Sequence, residues 1–63
     1  MERDTRPFLS IVMPALDEAA GIADQLAALQ PLRDRGHELI VVDGGSSDGT
    51  PALARPLADV VLE

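Results

Sequence analysis

Two short stretches of this chain carry side chains that could do chemistry. The richer one is Asp43-Gly44-Gly45-Ser46-Ser47-Asp48-Gly49-Thr50, and the other is Pro14-Ala15-Leu16-Asp17-Glu18. In the first, three glycines within six residues let the backbone turn tightly and let a ligand come close. Asp43 ends an apolar run, so its carboxylate is aimed by a rigid element. It can accept hydrogen bonds from a base N–H or from ribose hydroxyls. Alternatively, Asp43 and Asp48 satisfy the amides of their own loop, as Asx turns do. In the second stretch, the adjacent acids Asp17 and Glu18 could serve a ligand, or simply complement the dipole of a helix that starts there.

Two familiar phosphate loops fail when tested against the glycine-rich stretch. A dinucleotide fingerprint needs a glycine at Ser46 and usually follows the first strand of its unit, not the second. A Walker A loop half matches from Gly44 to Gly49, but Thr50 and Pro51 stand where Lys and Ser/Thr are required, and Asp48 would repel phosphate. His37 reads as a plain exposed loop residue. One histidine and no cysteine cannot build a structural zinc site, and no disulfide is possible.

Composition narrows the partners. The chain has 63 residues, with five basic side chains, all Arg, against eleven acidic ones, a net charge of −6. A nucleic acid is a poor partner for such a chain, because phosphate binding needs clustered cations. The same deficit argues against an anionic membrane surface. No apolar run approaches the ~20 residues of a membrane span, and the polar, mixed-charge start lacks the features of a signal peptide. A domain of about 60 residues buries only about 60 % of its unfolded surface and usually leans on disulfides, a metal or oligomerisation, of which disulfides and a structural zinc are ruled out.

The elements that must position the two stretches follow from the apolar pattern. Residues 1–7 read as a polar leader, and residues 8–63 as one run of alternating strands and helices. Phe8 to Met13 is an apolar run that predicts a strand buried on both faces, stopped by Pro14. Asp17 is placed to cap a helix beginning at Asp17-Glu18-Ala19-Ala20, with Gly21 weakening its first turn. Ile22, Leu26 and Leu29 form one helical stripe and belong to the core. Pro31 ends or bends that helix near Gln30, and Leu32 to Gly36 forms a polar connection. Glu38 to Asp43 is the clearest strand. Thr50-Pro51 reads as a cap and first position of a short helix limited by Pro56, and Asp59 to Glu63 as a third strand. The order β-α-β-α-β, with about two dozen residues between the first two strands, predicts an α/β fold with parallel strands and right-handed crossovers. Both polar stretches then lie beyond the carboxyl ends of strands, where open α/β sheets bind ligands.

Ser10-Ile11-Val12-Met13-Pro14-Ala15-Leu16-Asp17-Glu18 and Leu39-Ile40-Val41-Val42-Asp43-Gly44-Gly45-Ser46-Ser47-Asp48-Gly49-Thr50 together resemble the start of a family 2 glycosyltransferase. That family opens with a strand ending in Pro-x-x-Asn-Glu, and its second strand runs into an Asp- and Gly-rich loop of the same pattern. The likeness spans Leu9 to Leu62. It implies a GT-A (Rossmann-like) nucleotide-binding half, truncated in this chain, and a nucleotide-diphosphate-sugar donor whose sugar passes to an acceptor hydroxyl. It also implies a divalent metal, magnesium or manganese, in the intact enzyme, and a cytoplasmic protein or one at the cytoplasmic face of a membrane. By the same resemblance, Pro14, Ala15 and Leu16 line the base and ribose pocket. Glu18 is the acid near the nucleotide, Asp43 contacts the base, and the turn of Gly44, Gly45 and Ser46 gives it room.

Departures from the family pattern matter as much. Asp17 stands where Asn is more usual, and Gly44 where many members have a second Asp. The glycine resembles a bacterial subgroup associated with radical-SAM or selenium-domain genes. The family's Asp-x-Asp metal motif occurs nowhere in the 63 residues, and its catalytic base also normally lies further along. The resemblance therefore assigns no catalytic residue and no metal ligand to this chain, and the fragment alone is expected to be inactive. The rival expectations are a non-catalytic nucleotide-binding module and a truncated gene remnant. The last strand runs into the chain end, which reads as a sheet that continues.

Overall fold

A computed structural model describes residues 9–63. The polar leader and Phe8 lie outside the described residues. Three parallel strands, β1 (Ser10–Ala15), β2 (Glu38–Asp43) and β3 (Val60–Leu62), form one sheet in the order β1-β2-β3. Three short helices connect them: α1 (Ile22–Ala27), α2 (Gln30–Asp34) and α3 (Thr50–Ala54), the last running into a 3₁₀ turn at Arg55–Leu57. This is the expected α/β arrangement, consistent with a partial GT-A fold.

β2 takes the centre because its run of Leu39, Ile40, Val41 and Val42 suits a pleated, packed surface. Pairing is in register, Met13 beside Val41 beside Val61 and Pro14 beside Val42 beside Leu62. Side chains in one such row share a face. The inward rows pack with Ile22 and Leu26 of α1 and with Ala54 and Ala58, and these residues make the core. α1 packs against α3, so both connections lie on the same side of the sheet.

That one-sidedness corrects the expectation of strands buried on both faces. Burial alternates along β1 and β2, and Val12, Val42, Val60 and Leu62 are exposed on the side away from the helices. Among the described residues nothing covers that face. The continuous aliphatic run in β2 therefore marks a strand with two apolar faces, of which the helices take only one.

Pro14 does not stop β1, which continues to Ala15. The carbonyls of Leu9 and Ala15 accept from Glu38 and Gly44 of the β2 side, at 2.9 and 2.8 Å. Odd-numbered residues of β1 thus bond to β2, and even-numbered ones face the free edge. Pro14 lacks its N–H on the side away from β2, where no ladder bond is lost among the described residues.

The helices also begin later than their sequence signals. Asp17 is not a helix cap: its φ is +51, and α1 starts at Ile22 with Gly21 as its capping residue. Ile22 and Leu26 are buried, while Leu29 is half-buried against the core. Pro31 does not end α1 but lies in the first turn of α2, where a missing N–H costs nothing. Residues 32–34, expected as a connection, belong to α2, and Gly36 at φ +94 makes the exit. Gly49, rather than Thr50, precedes α3 at φ +86. His37 is half-buried, and its Nδ1 accepts the Leu9 N–H at 3.2 Å. Asp59 closes the far end of the sheet by accepting the Leu39 N–H at 2.7 Å and pairing with Arg33 at 3.2 Å.

Candidate functional site

The loops after β1 and β2 meet at the carboxyl edge of the sheet. Gly44 N–H donates to the Ala15 carbonyl at 2.8 Å, which carries the parallel ladder one residue past the end of β2. Beyond that point side chains take over from backbone. The consecutive amides of Asp17, Glu18 and Ala19 donate to Ser46 Oγ (2.7 Å), Thr50 Oγ1 (2.9 Å) and Asp48 Oδ2 (3.1 Å). In return the Ser47 N–H donates to Asp17 Oδ1 at 2.9 Å. Each loop is held by the other across about thirty residues of sequence.

Asp43 lies at the end of β2 and is 7 % exposed. Its Oδ2 accepts the N–H groups of Gly45 and Ser46, at 3.0 and 2.8 Å, and its Oδ1 accepts the Ser46 hydroxyl at 2.5 Å. The Ser46 hydroxyl, and then the Ser46 and Gly45 amides, hold this carboxyl below the usual carboxylate range, against the opposing effect of burial. Asp48 is lowered likewise, first by the Thr50 hydroxyl and also by the Ala19 and Thr50 amides. Both are carboxylates at neutral pH. The Asx-turn role is thus present in the geometry, and it occupies three of the roughly four acceptor positions of Asp43. One position on Oδ1 takes no donor among the described residues.

The other residues singled out by sequence fall into place around this pair of loops. Ala15 is buried behind the Gly44 contact, and Leu16 is exposed, its Cδ1 3.9 Å from where a Cβ on Gly44 would stand. Glu18 is exposed, with its amide on Thr50. Gly45 needs its freedom at φ +103; Gly44 does not, and a side chain there would meet only ordinary contacts. Pro14 is set apart. Pairing puts it in the row of Val42 and Leu62, on the face opposite Asp43. Ala15, Leu16, Asp43, Gly44 and Gly45 gather at one edge, and the ring of Pro14 lies behind it.

Sequence reasoning missed the parts of Asp17, Ser46, Ser47 and Thr50. The available signal was their type, since Ser, Thr and Asp compete for backbone groups wherever regular structure ends.

Four carboxylates, Asp17, Glu18, Asp43 and Asp48, stand on these loops, and no Arg does. Such an edge favours hydrogen-bond donors over phosphate. It does not suit a metal ion either: among the described residues no three His, Asp or Glu side chains cluster as ligands. Asp43 and Asp48 are already engaged by amides and hydroxyls.

A family model described as glycosyl transferase family 2 matches residues 10–62. The chain belongs to glycosyl transferase family 2. Two curated relatives of this family 2 chain come from Haloferax volcanii. One is a glycosyltransferase, AglE, 42 % identical over 53 residues, covering 81 % of this chain and 17 % of the relative. The other is a low-salt glycan biosynthesis hexosyltransferase, Agl6, 39 % identical over 66 residues, covering 98 % of this chain and 16 % of the relative. The family 2 chain thus spans about a sixth of the length of these relatives. No solved structure matches it. Among the described residues no helix is long and apolar enough to cross a membrane.

Proposed function

We propose that this chain is the nucleotide-binding start of a glycosyltransferase that moves a sugar from a nucleotide-diphosphate-sugar to an acceptor hydroxyl. One observation carries this reading. Within a family 2 chain, the loops after β1 and β2 meet at the carboxyl edge of the sheet and carry four carboxylates and no Arg of their own. Base N–H groups and ribose hydroxyls are the parts of a donor that such an edge attracts. The diphosphate is the part it repels, so its charge must be met by groups elsewhere in the intact protein.

In this reading residues 8–63 are the first part of the transferase domain, and Leu16, Glu18, Asp43, Gly44 and Gly45 flank the base and ribose. Ala15 backs the turn at Gly44, and Pro14, on the opposite face of the sheet, acts only through the course of the β1 backbone. A divalent ion, magnesium or manganese, belongs to the intact enzyme and would neutralise phosphate oxygens there; the carboxylates described above do not form its site. A cytoplasmic setting, or the cytoplasmic face of a membrane, fits a nucleotide-sugar donor. The bacterial subgroup associated with radical-SAM or selenium-domain genes rests on Gly44 alone and gains no support from the Haloferax relatives.

Titrating the intact protein with nucleotide-sugar by calorimetry tests the role of Asp43. Asp43→Ala is expected to weaken donor binding by about 5- to 150-fold, the loss of one buried polar partner. Unchanged affinity would remove Asp43 from the site.

A further inference from the structure

We infer that Thr50 is a positioning residue for the donor site, acting through the backbone of Glu18. The inference rests on the reading of the two loops as a nucleotide site. Thr50 is fully buried, although it is polar and begins a helix on the loop side. Its hydroxyl does two jobs at once. The oxygen accepts the Glu18 N–H at 2.9 Å, and the proton goes to Asp48 Oδ1 at 2.5 Å. Asp48 in turn accepts the Thr50 N–H at 3.1 Å and, through Oδ2, the Ala19 N–H at 3.1 Å. A hydroxyl whose proton is committed to a carboxylate has its lone pairs turned toward the remaining donor, so the direction of the Glu18 amide is fixed by Asp48 through Thr50.

The consequence is geometric. Three successive amides of the first loop, at Asp17, Glu18 and Ala19, are all taken by side chains of the second. Successive amides of this kind are the usual makings of an anion cradle. Here the chain fills it with its own oxygens, which ties the first loop to the second and leaves the Glu18 carboxyl as the acid of the first loop with no hydrogen bond among the described residues. Thr50 stands at the middle of the three contacts. Ser46 holds the outer amide and also bonds Asp43, so the two candidate ligand acids, Glu18 and Asp43, are set by the same interlock.

Thr50→Val and Thr50→Ser in the intact protein test this. Valine keeps the shape and removes the hydroxyl; serine keeps the hydroxyl. Binding is read by calorimetry with uridine, cytidine, thymidine and guanosine diphosphates, using the one the parent protein binds best. Thr50→Val is expected to weaken it by about tenfold, while Thr50→Ser stays near the parent. Leu39→Val, a core change at the far end of β2, controls for stability: it lowers the melting temperature and leaves affinity alone. A Thr50→Val protein that melts lower but binds like the parent overturns the positioning role and leaves the site reading standing. Failure of all four nucleotides to bind the parent overturns the site reading, and this inference with it. If Thr50→Val does not fold, Asp48→Leu reads the same link, since it is close in size and leaves the Thr50 hydroxyl without its acceptor. Parent-like affinity in that variant also overturns the inference.

Discussion

Asp17 holds a left-handed backbone, φ +51, where most side chains are strained and Asn and Asp are tolerated best. Its Oδ1 accepts the Ser47 amide, so conformation and contact favour the same two residue types. Asp17→Asn is therefore expected to be nearly neutral in denaturant melts, and Asp17→Ala to be clearly destabilising; equal stability of the two variants would contradict the account. The glycines separate in the same way. Gly49→Ala is expected to cost about 1–2 kcal/mol, because φ is +86 there. Gly44→Ala should stay within about 0.5 kcal/mol, since its nearest new contact, the Ala15 carbonyl, is an ordinary 3.6 Å away. Matched losses at the two glycines would refute that distinction. At this scale the sequence made the acids and glycines visible, because their types restrict what the backbone and a ligand can do. It did not reveal which oxygen takes which amide. That depends on a meeting of two loops about thirty residues apart, which no local spacing encodes.

The strands were legible as elements, and their order was legible too, because β-branched runs bounded by loop residues have few other uses. The helices were less so. Asp17, Pro31 and Thr50 all carry helix-end chemistry, yet each lies away from its expected place, since tertiary bonds outbid weak local preference in helices of five or six residues. These short elements are held at their ends by carboxylates: Asp43 at the end of β2, Asp48 before α3 and Asp59 before β3. All three carboxyls sit below their ordinary value of 3.8, through hydrogen bonds with Ser46, Thr50 and the Leu39 amide respectively. The unfolded chain therefore takes up protons first as pH falls. Their contribution to stability is complete above the unfolded value and is lost as pH drops through the lowered folded values. Denaturant midpoints are expected to be level from about pH 7 to about pH 5 and to fall below about pH 4. Asp48→Asn and Asp59→Asn should each reduce that acid slope relative to the parent, and slopes equal to the parent's would show that these carboxyls do not carry it.

At the scale of the whole chain, the sheet has helices on one face and a second apolar face with no cover among the described residues. Val12, Ile40 and Val60 form one row of it, and Pro14, Val42 and Leu62 the next. Contiguous apolar patches are uncommon on soluble monomers. The 63-residue chain by itself is therefore expected to bind an environment-sensitive apolar dye and to elute larger than a monomer. Glu replacements at Val12 and Val60 should suppress both, and a monodisperse parent chain that leaves the dye dark would contradict the exposure. The bare face explains why aliphatic content promised more burial than the fold delivers: composition counts apolar side chains but not the layers available to cover them. The free edge of β1 carries a different consequence. Ser10 and Val12 point amides outward along it, and Pro14 has none to offer. A strand arriving alongside could zip onto the first part of β1, but it would lose its donor one step before the loops begin. Any strand that pairs with β1 at this edge therefore finds one donor fewer opposite Pro14, just before the loop begins.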